Sequence, residues 1–115
     1  MPNQSLRLNH VFQALADPTR RAVLQRLSRG PASTLELARP FDMALPSFTQ
    51  HLGVLEQYGL VKSNKSGRVR TYELAPQPLR QAEDWMTDRR KLWERRLDQL
   101  DAYLLTMKEN DDDQE

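Results

Sequence analysis

The 115-residue chain contains no cysteine, which excludes disulfides and every thiolate-held metal site. Histidine is nearly absent too, with only His10 and His51, far apart in the sequence. A transition-metal site needs several convergent soft or imidazole ligands, so no metal is expected. The four glycines form no glycine-rich loop of the kind that cradles phosphate. Nor does a nucleophile stand beside a base with an orienting partner. No enzymatic activity and no cofactor are therefore expected. No apolar run approaches the roughly 18 residues of a membrane span, and the first residues lack the apolar core of a signal peptide. A cytoplasmic location away from membranes follows as the expectation.

The length allows one domain with one core. Hydrophobic residues make up 38% and charged residues 29% of the chain, a balance that suits an elongated helical domain hiding part of its apolar surface against a second subunit. The net charge of +1 conceals an asymmetry. Residues 109–115 hold five of the 16 acids and none of the 17 basic residues, leaving a balance of +6 over residues 1–108. A basic body favours a polyanionic partner. The segment 109–115 reads as an acidic, disordered tail, either simply solvated or competing with that partner.

Leu8, Val11, Phe12 and Leu15 recur at helical spacing and predict a first amphipathic helix. Asp17-Pro18-Thr19 then reads as an N-cap followed by proline at the first helical position. Ala22, Val23, Leu24 and Leu27 give this second helix its apolar side, and Gly30-Pro31 stops it. A third helix is expected from Ser33 or Thr34, with Leu35, Leu37 and Ala38, and Glu36 in its first turn. After a connection holding Phe41 and Met43, Pro46 fits the first turn of a fourth helix that runs to about Tyr58. Its core side is Phe48, Leu52, Leu55 and Val54, and Gly59 ends it. Two helices joined by a short turn form a helix-turn-helix pattern.

Leu60-Val61-Lys62-Ser63 and Val69-Arg70-Thr71-Tyr72-Glu73-Leu74 read as strands around a turn at Lys65-Ser66-Gly67-Arg68, a β-hairpin or wing. Lys62, Lys65, Arg68 and Arg70 occur here with no acid between Glu56 and Glu73, which points to DNA contact. Pro76-Gln77-Pro78 then starts a long helix expected to reach about Lys108. Leu79, Met86, Trp93, Leu100 and Met107 fall every seventh residue, with Leu97 and Leu104 in a second row. About thirty residues of helix reach about 45 Å, longer than the domain they leave. A dimer interface is expected along residues 76–108 at Met86, Trp93, Leu97, Leu100 and Leu104, with Trp85 and Tyr103 alongside. The first helix completes it through Leu8 and Phe12. Trp85, Trp93 and Phe12 either pack there or line an apolar effector pocket. The expected architecture is mainly α with a small β-hairpin, a winged helix-turn-helix over residues 1–108.

Three segments carry a resemblance. They are Phe12-Gln13-Ala14-Leu15-Ala16-Asp17-Pro18-Thr19-Arg20-Arg21, Leu45-Pro46-Ser47-Phe48-Thr49-Gln50-His51-Leu52, and Val54-Leu55-Glu56-Gln57-Tyr58-Gly59-Leu60-Val61. Gly67-Arg68-Val69-Arg70-Thr71-Tyr72 continues it. In this order they resemble the arsenic-repressor (ArsR) family of bacterial winged-helix regulators over about residues 8–105. Trp93, Arg96-Leu97-Asp98, Leu100 and Tyr103-Leu104 resemble a metal-independent subgroup. The resemblance implies a homodimer that represses its own operon, with paired fourth helices on an inverted-repeat operator in double-stranded DNA. Metal sensors of the family often carry paired cysteines in the third helix, where this chain has Glu36-Leu37-Ala38-Arg39-Pro40-Phe41. They can also carry an Asp/His/Glu zinc set in the last helix, which here has no histidine. Gly53 stands where relatives often have Lys or Arg; it removes a phosphate contact and costs roughly 1 kcal/mol of helix propensity against alanine.

A recognition helix shows its first turns to base edges in the major groove. Ser47, Thr49, Gln50 and His51 are the polar residues there. Gln50 suits bidentate reading of adenine. Ser47 and Thr49 suit phosphate or base contacts, or a cap or backbone hydrogen bond. His51 either meets DNA or packs and caps. Arg68 and Arg70 are placed to reach the minor groove or its phosphates. Arg20 and Arg21 touch phosphate or are merely solvated. The alternative reading is a winged-helix module that docks protein with its long helix, against which the basic wing argues.

Overall fold

The computed structural model describes residues 3–113. Five helices and three strands follow in the order α1 (Asn3–Leu15), α2 (Pro18–Leu27), β1 (Ala32–Ser33), α3 (Thr34–Ala38), α4 (Leu45–Gln57), β2 (Val61–Ser66), β3 (Val69–Leu74) and α5 (Pro76–Asp113). The chain divides into two units, one ending at Ala82 and the other beginning at Glu83.

Caps set the boundaries in the first unit. Asp17, in extended conformation, accepts the Arg20 amide at 3.0 Å and starts α2, with Pro18 at the first helical position. Ser33 and Glu36 form a reciprocal capping box on α3, each side chain taking the other's backbone N–H at 3.2 Å. At the end of α4, Gly59 adopts φ +80. The Leu60 amide donates to the Leu55 carbonyl at 2.9 Å, and the Gly59 amide to the Glu56 carbonyl at 3.0 Å. This is a Schellman motif. It turns the chain sharply and inserts Leu60 into the core beside the helix it has just left.

The core of this unit joins Val11 and Ala14 of α1, Val23, Leu24 and Leu27 of α2, and Leu37 of α3 to Phe48, Leu52 and Leu55 of α4. Ala32 of β1, Leu60, Val61, Tyr72 and Ala82 complete it, and Leu79 packs against it, so the first turns of α5 belong to the same core. Leu35 is exposed, because a five-residue helix turns one face inward and Leu37 occupies it.

Two strand details differ from the sequence reading. The sheet has three strands in the order β1-β3-β2, because Ala32 and Ser33 pair antiparallel with Tyr72 and Thr71. A two-residue strand leaves no alternation to detect, and Ser33 also serves as the α3 cap. The wing turn is shorter than the expected Lys65–Arg68. Lys65 and Ser66 belong to β2, and pairing continues to Ser66 opposite Val69. Gly67 and Arg68 alone make the turn, with φ +63 at Gly67 and no positive φ at Arg68, the pattern of a II′ hairpin. Such a turn matches the strand twist, so the ladder closes right up to it.

In the second unit α5 runs to Asp113, past the expected end near Lys108. No glycine or proline lies between them to stop the helix. The expected tail spans residues 109–115; its first five residues lie in this helix, and Gln114 and Glu115 lie outside the described residues.

Candidate nucleic-acid interface

α4 owes its orientation to its buried side. Phe48, Leu52 and Leu55 are 0% exposed, spaced four and three residues apart on one stripe of the helix. Phe41, from the connection before α4, packs its ring against Phe48 with centroids 5.2 Å apart. The opposite side therefore faces solvent, and Ser47, Thr49, Gln50 and Gly53 are exposed on it. The Thr49 hydroxyl donates to the Pro46 carbonyl at 3.0 Å, so it is engaged with its own helix. No side chain caps the α4 N-terminus: Ala44 occupies the cap position, which leaves first-turn amides for an outside acceptor.

His51 lies at the edge of this face, half-buried, with its Nδ1 3.6 Å from Asp17 Oδ2. The α2 cap and the α4 surface thus meet. Burial works to raise the Asp17 pKa, but the Arg20 amide donor and the charges of His51 and Arg20 outweigh it and hold the carboxyl below its ordinary value. Arg20 and Arg21 also have a role within the fold. Arg20 donates to the Ala14 and Gln13 carbonyls at 3.0 and 2.8 Å, and Arg21 to the Leu15 carbonyl at 2.6 Å. They tie α2 to the last carbonyls of α1, of which that of Gln13 also accepts the Ala16 amide.

The wing register sorts the four expected cations. Paired residues of an antiparallel ladder share a face. Val61, Ser63 and Lys65 on β2 lie opposite Leu74, Tyr72 and Arg70 on β3, and burial of Val61 and Tyr72 marks this face as the inner one. Lys62 lies on the outer face, directly opposite Glu73. Arg68 occupies the turn itself, exposed. Arg70 donates to the Ser63 hydroxyl at 2.8 Å, and that hydroxyl donates to the Glu56 carboxylate of α4. The acids that flank the wing in sequence, Glu56 and Glu73, therefore both return to it in space. Lys65 pairs with Arg70 on the inner face and Arg68 lies in the turn, so among the described residues these two wing cations have no acid as ladder partner or through a hydrogen-bond chain. Burial, first of all, raises the Tyr72 pKa, and the nearby Glu56 charge adds to it.

Of the residues expected at a subunit interface, Leu8 is half-buried and packs against the core of the first unit, while Phe12 is partly exposed. In the second unit Met86, Trp93, Leu97, Leu100 and Leu104 are all exposed on α5, Trp93 at 63% and Leu97 at 53%. Tyr103, Leu105 and Met107 add to the exposed apolar surface. The Arg89 guanidinium lies over the Trp85 ring, 5.0 Å from its centroid. His10 stacks on Tyr58 at 4.2 Å, which ties α1 to the end of α4.

The arrangement combines a polar helix face, fixed from behind by a packed core, with a hairpin that projects cations from its tip. A side chain that both donates and accepts can read a base edge, and a guanidinium or ammonium can hold phosphate. Sequence reasoning missed the Glu56–Ser63–Arg70 chain and the Asp17–His51 contact. Both depend on tertiary register, for which the local pattern carries no signal.

Residues 15–64 match a helix-turn-helix domain model. The chain is 40% identical to the HTH-type transcriptional regulator Rv2034 of Mycobacterium tuberculosis over 89 residues, covering 77% of this chain and 80% of that one. It is 33% identical to the transcriptional repressor SdpR of Bacillus subtilis over 79 residues, covering 69% and 88%. Among solved structures, an ArsR-family transcriptional regulator superposes with a TM-score of 0.74 at 55% identity, covering 82% of this chain and 94% of that one. An ArsR-like regulator from Rhodococcus sp. RHA1 superposes with a TM-score of 0.70 at 32% identity, covering 83% and 90%. With this order of elements and these relatives, the chain belongs to the ArsR family of winged helix-turn-helix, DNA-binding transcriptional regulators, and it is not an enzyme.

Proposed function

We propose that the chain is a dimeric repressor that binds an inverted-repeat operator through paired α4 helices and does so without metal. The observation that carries the reading is the exposed polar face of α4, held outward by three completely buried side chains. Gln50 is assigned base reading, Ser47 and the uncapped α4 N-terminus phosphate, and Lys65 and Arg68 the flanking backbone or minor groove. His51, braced by Asp17, sits beside Gln50. The apolar stripe of α5 supports dimerisation, since exposed apolar surface of this extent is rarely left in contact with water. Metal independence is supported by ligand chemistry: the chain has no cysteine, and its two histidines lie on α1 and α4. Among the described residues no three potential ligands gather.

Selection from a genomic DNA pool, followed by gel shift on the retained fragments, tests the reading. Retention of a two-fold symmetric sequence, with affinity unchanged by zinc or arsenite, is expected. Retention of nothing at low salt would favour a protein-docking module instead.

A further inference from the structure

Between α2 and α3 lies a groove of about 550 Å³, within the size range of small-molecule sites. Its floor is apolar, formed by buried Val23 and Leu37 with half-buried Phe41. Its rim carries three guanidinium groups, Arg26, Arg29 and Arg39, against one acid, Glu36. That acid accepts the Ser33 amide in the capping box, and its charge also interacts with Arg26 and Arg39, which leaves the rim with a net excess of two guanidinium charges. Among the described residues the ion pairs are His51–Asp17 and Arg90–Glu94, so none of the three arginines has a carboxylate within salt-bridge distance. Arg26 also donates to the Gly30 carbonyl at 3.1 Å, which fixes its position at the end of α2.

An apolar floor under an excess of guanidinium over carboxylate suits a molecule with an apolar body and an anionic head. Nucleic-acid backbone offers the charge but nothing for the floor. The groove also reaches the connection that leads into α4. Arg39, Pro40 and Phe41 belong to the connection between α3 and α4, and Phe41 packs on buried Phe48 of α4. A ligand seated against Phe41 therefore presses on the side chain that sets the position of α4. We propose that this groove binds an amphipathic organic carboxylate, which acts as an effector by shifting α4; the effector part rests on the DNA-binding reading above.

The test titrates 2-naphthoate into the full chain while backbone amide shifts are followed by NMR. Saturable shifts centred on Arg26, Arg29 and Arg39–Phe41 are expected, and the neutral 2-naphthalenemethanol should produce none there. The double substitution Arg29→Gln/Arg39→Gln should weaken binding at least about tenfold, as expected when charge-assisted hydrogen bonds are removed. Absent saturation, equal response to the alcohol, or unchanged affinity in the double variant would each overturn the site. In the second arm, saturating naphthoate should change affinity for the selected DNA several-fold in the native chain and leave the double variant unaffected. Naphthoate binding without any change in DNA affinity would overturn the effector role. A double variant with weaker DNA binding and a shallower salt dependence would instead make these arginines phosphate contacts, and the proposal would fall. If no DNA is retained at all, the operator reading fails by itself while the NMR arm still decides the groove.

Discussion

α4 and the part of α5 beyond Ala82 carry similar apolar patterns and meet opposite fates. In α4, Phe48, Leu52 and Leu55 are wholly buried within the chain's own first unit. In α5, Trp93, Leu97, Leu100 and Leu104 repeat at three- and four-residue steps and remain more than half exposed. The spacing of apolar residues tells which face of a helix avoids water, not which molecule covers it. For α4 the cover is the fold. For α5 a second copy of the chain is the proposed cover, and the two helices should answer mutation differently, one in folding and the other in association.

The largest expected effect is in α4. Phe48→Ala should cost about 3–5 kcal/mol, the usual range for emptying a buried aromatic site. It should also free Phe41, which now packs on that ring. Urea denaturation measures the effect, and a cost below about 1 kcal/mol would mean that Phe48 is not the anchor of the helix. Leu97→Glu in α5 should leave the helical circular dichroism of the first unit intact while weakening dimerisation by about 2–4 kcal/mol, as for a central interface residue. Sedimentation at several concentrations reads this directly. A Leu97→Glu chain that remains dimeric would erase the contrast between the two helices.

The contrast also marks what sequence could reveal. Helices were legible where local chemistry signs their ends, as at Asp17-Pro18, at Ser33 with Glu36, and at Gly59. The polar side of α4 was legible too, because Ser47, Thr49 and Gln50, with His51 at its edge, fill the gaps between residues that must be buried. Strand β1 was not legible, since two residues owe their conformation entirely to pairing with β3. The roles of the arginines were the least visible. A guanidinium reaches whatever the fold brings near it, and for Arg20, Arg21 and Arg70 that is a carbonyl or hydroxyl six or seven residues away. A linear window of cations also misses that the flanking acids Glu56 and Glu73 return to the wing in space.

The exposed side of α4 yields smaller, more specific effects than its buried side. Gln50→Ala should weaken specific binding by about 1–3 kcal/mol and non-specific binding hardly at all. Equal weakening on selected and random duplexes would remove Gln50 from base reading. On the wing, Arg68→Ala should reduce the slope of affinity against salt by about one, because one fewer phosphate is neutralised and one fewer counterion released. Arg70→Ala should change that slope less, because its guanidinium is bound to Ser63 and through it to Glu56. Its main effect should be a looser wing, seen as faster amide exchange in β2 and β3. Equal slopes for the two variants would mean that Arg70 leaves Ser63 when DNA arrives.

The smallest expected effect concerns Gly53, and it separates stability from binding on one residue. A Cβ built there meets nothing within 4 Å, and the backbone is ordinary helix rather than the left-handed region. Glycine is thus not required by packing or by φ. Gly53→Ala should stabilise the chain by about 0.5–1 kcal/mol through helix propensity and the entropy of the unfolded state. Alanine adds no charge, so the salt slope of DNA binding should stay as it is. Gly53 lies three residues after Gln50, on the same exposed stripe. Gly53→Arg should therefore add most of the same stability and also steepen the salt slope by about one. If arginine raises stability but not the slope, the α4 stripe does not run along the phosphate backbone at this point. Specific contact would then be confined to the first turns, around Ser47 and Gln50.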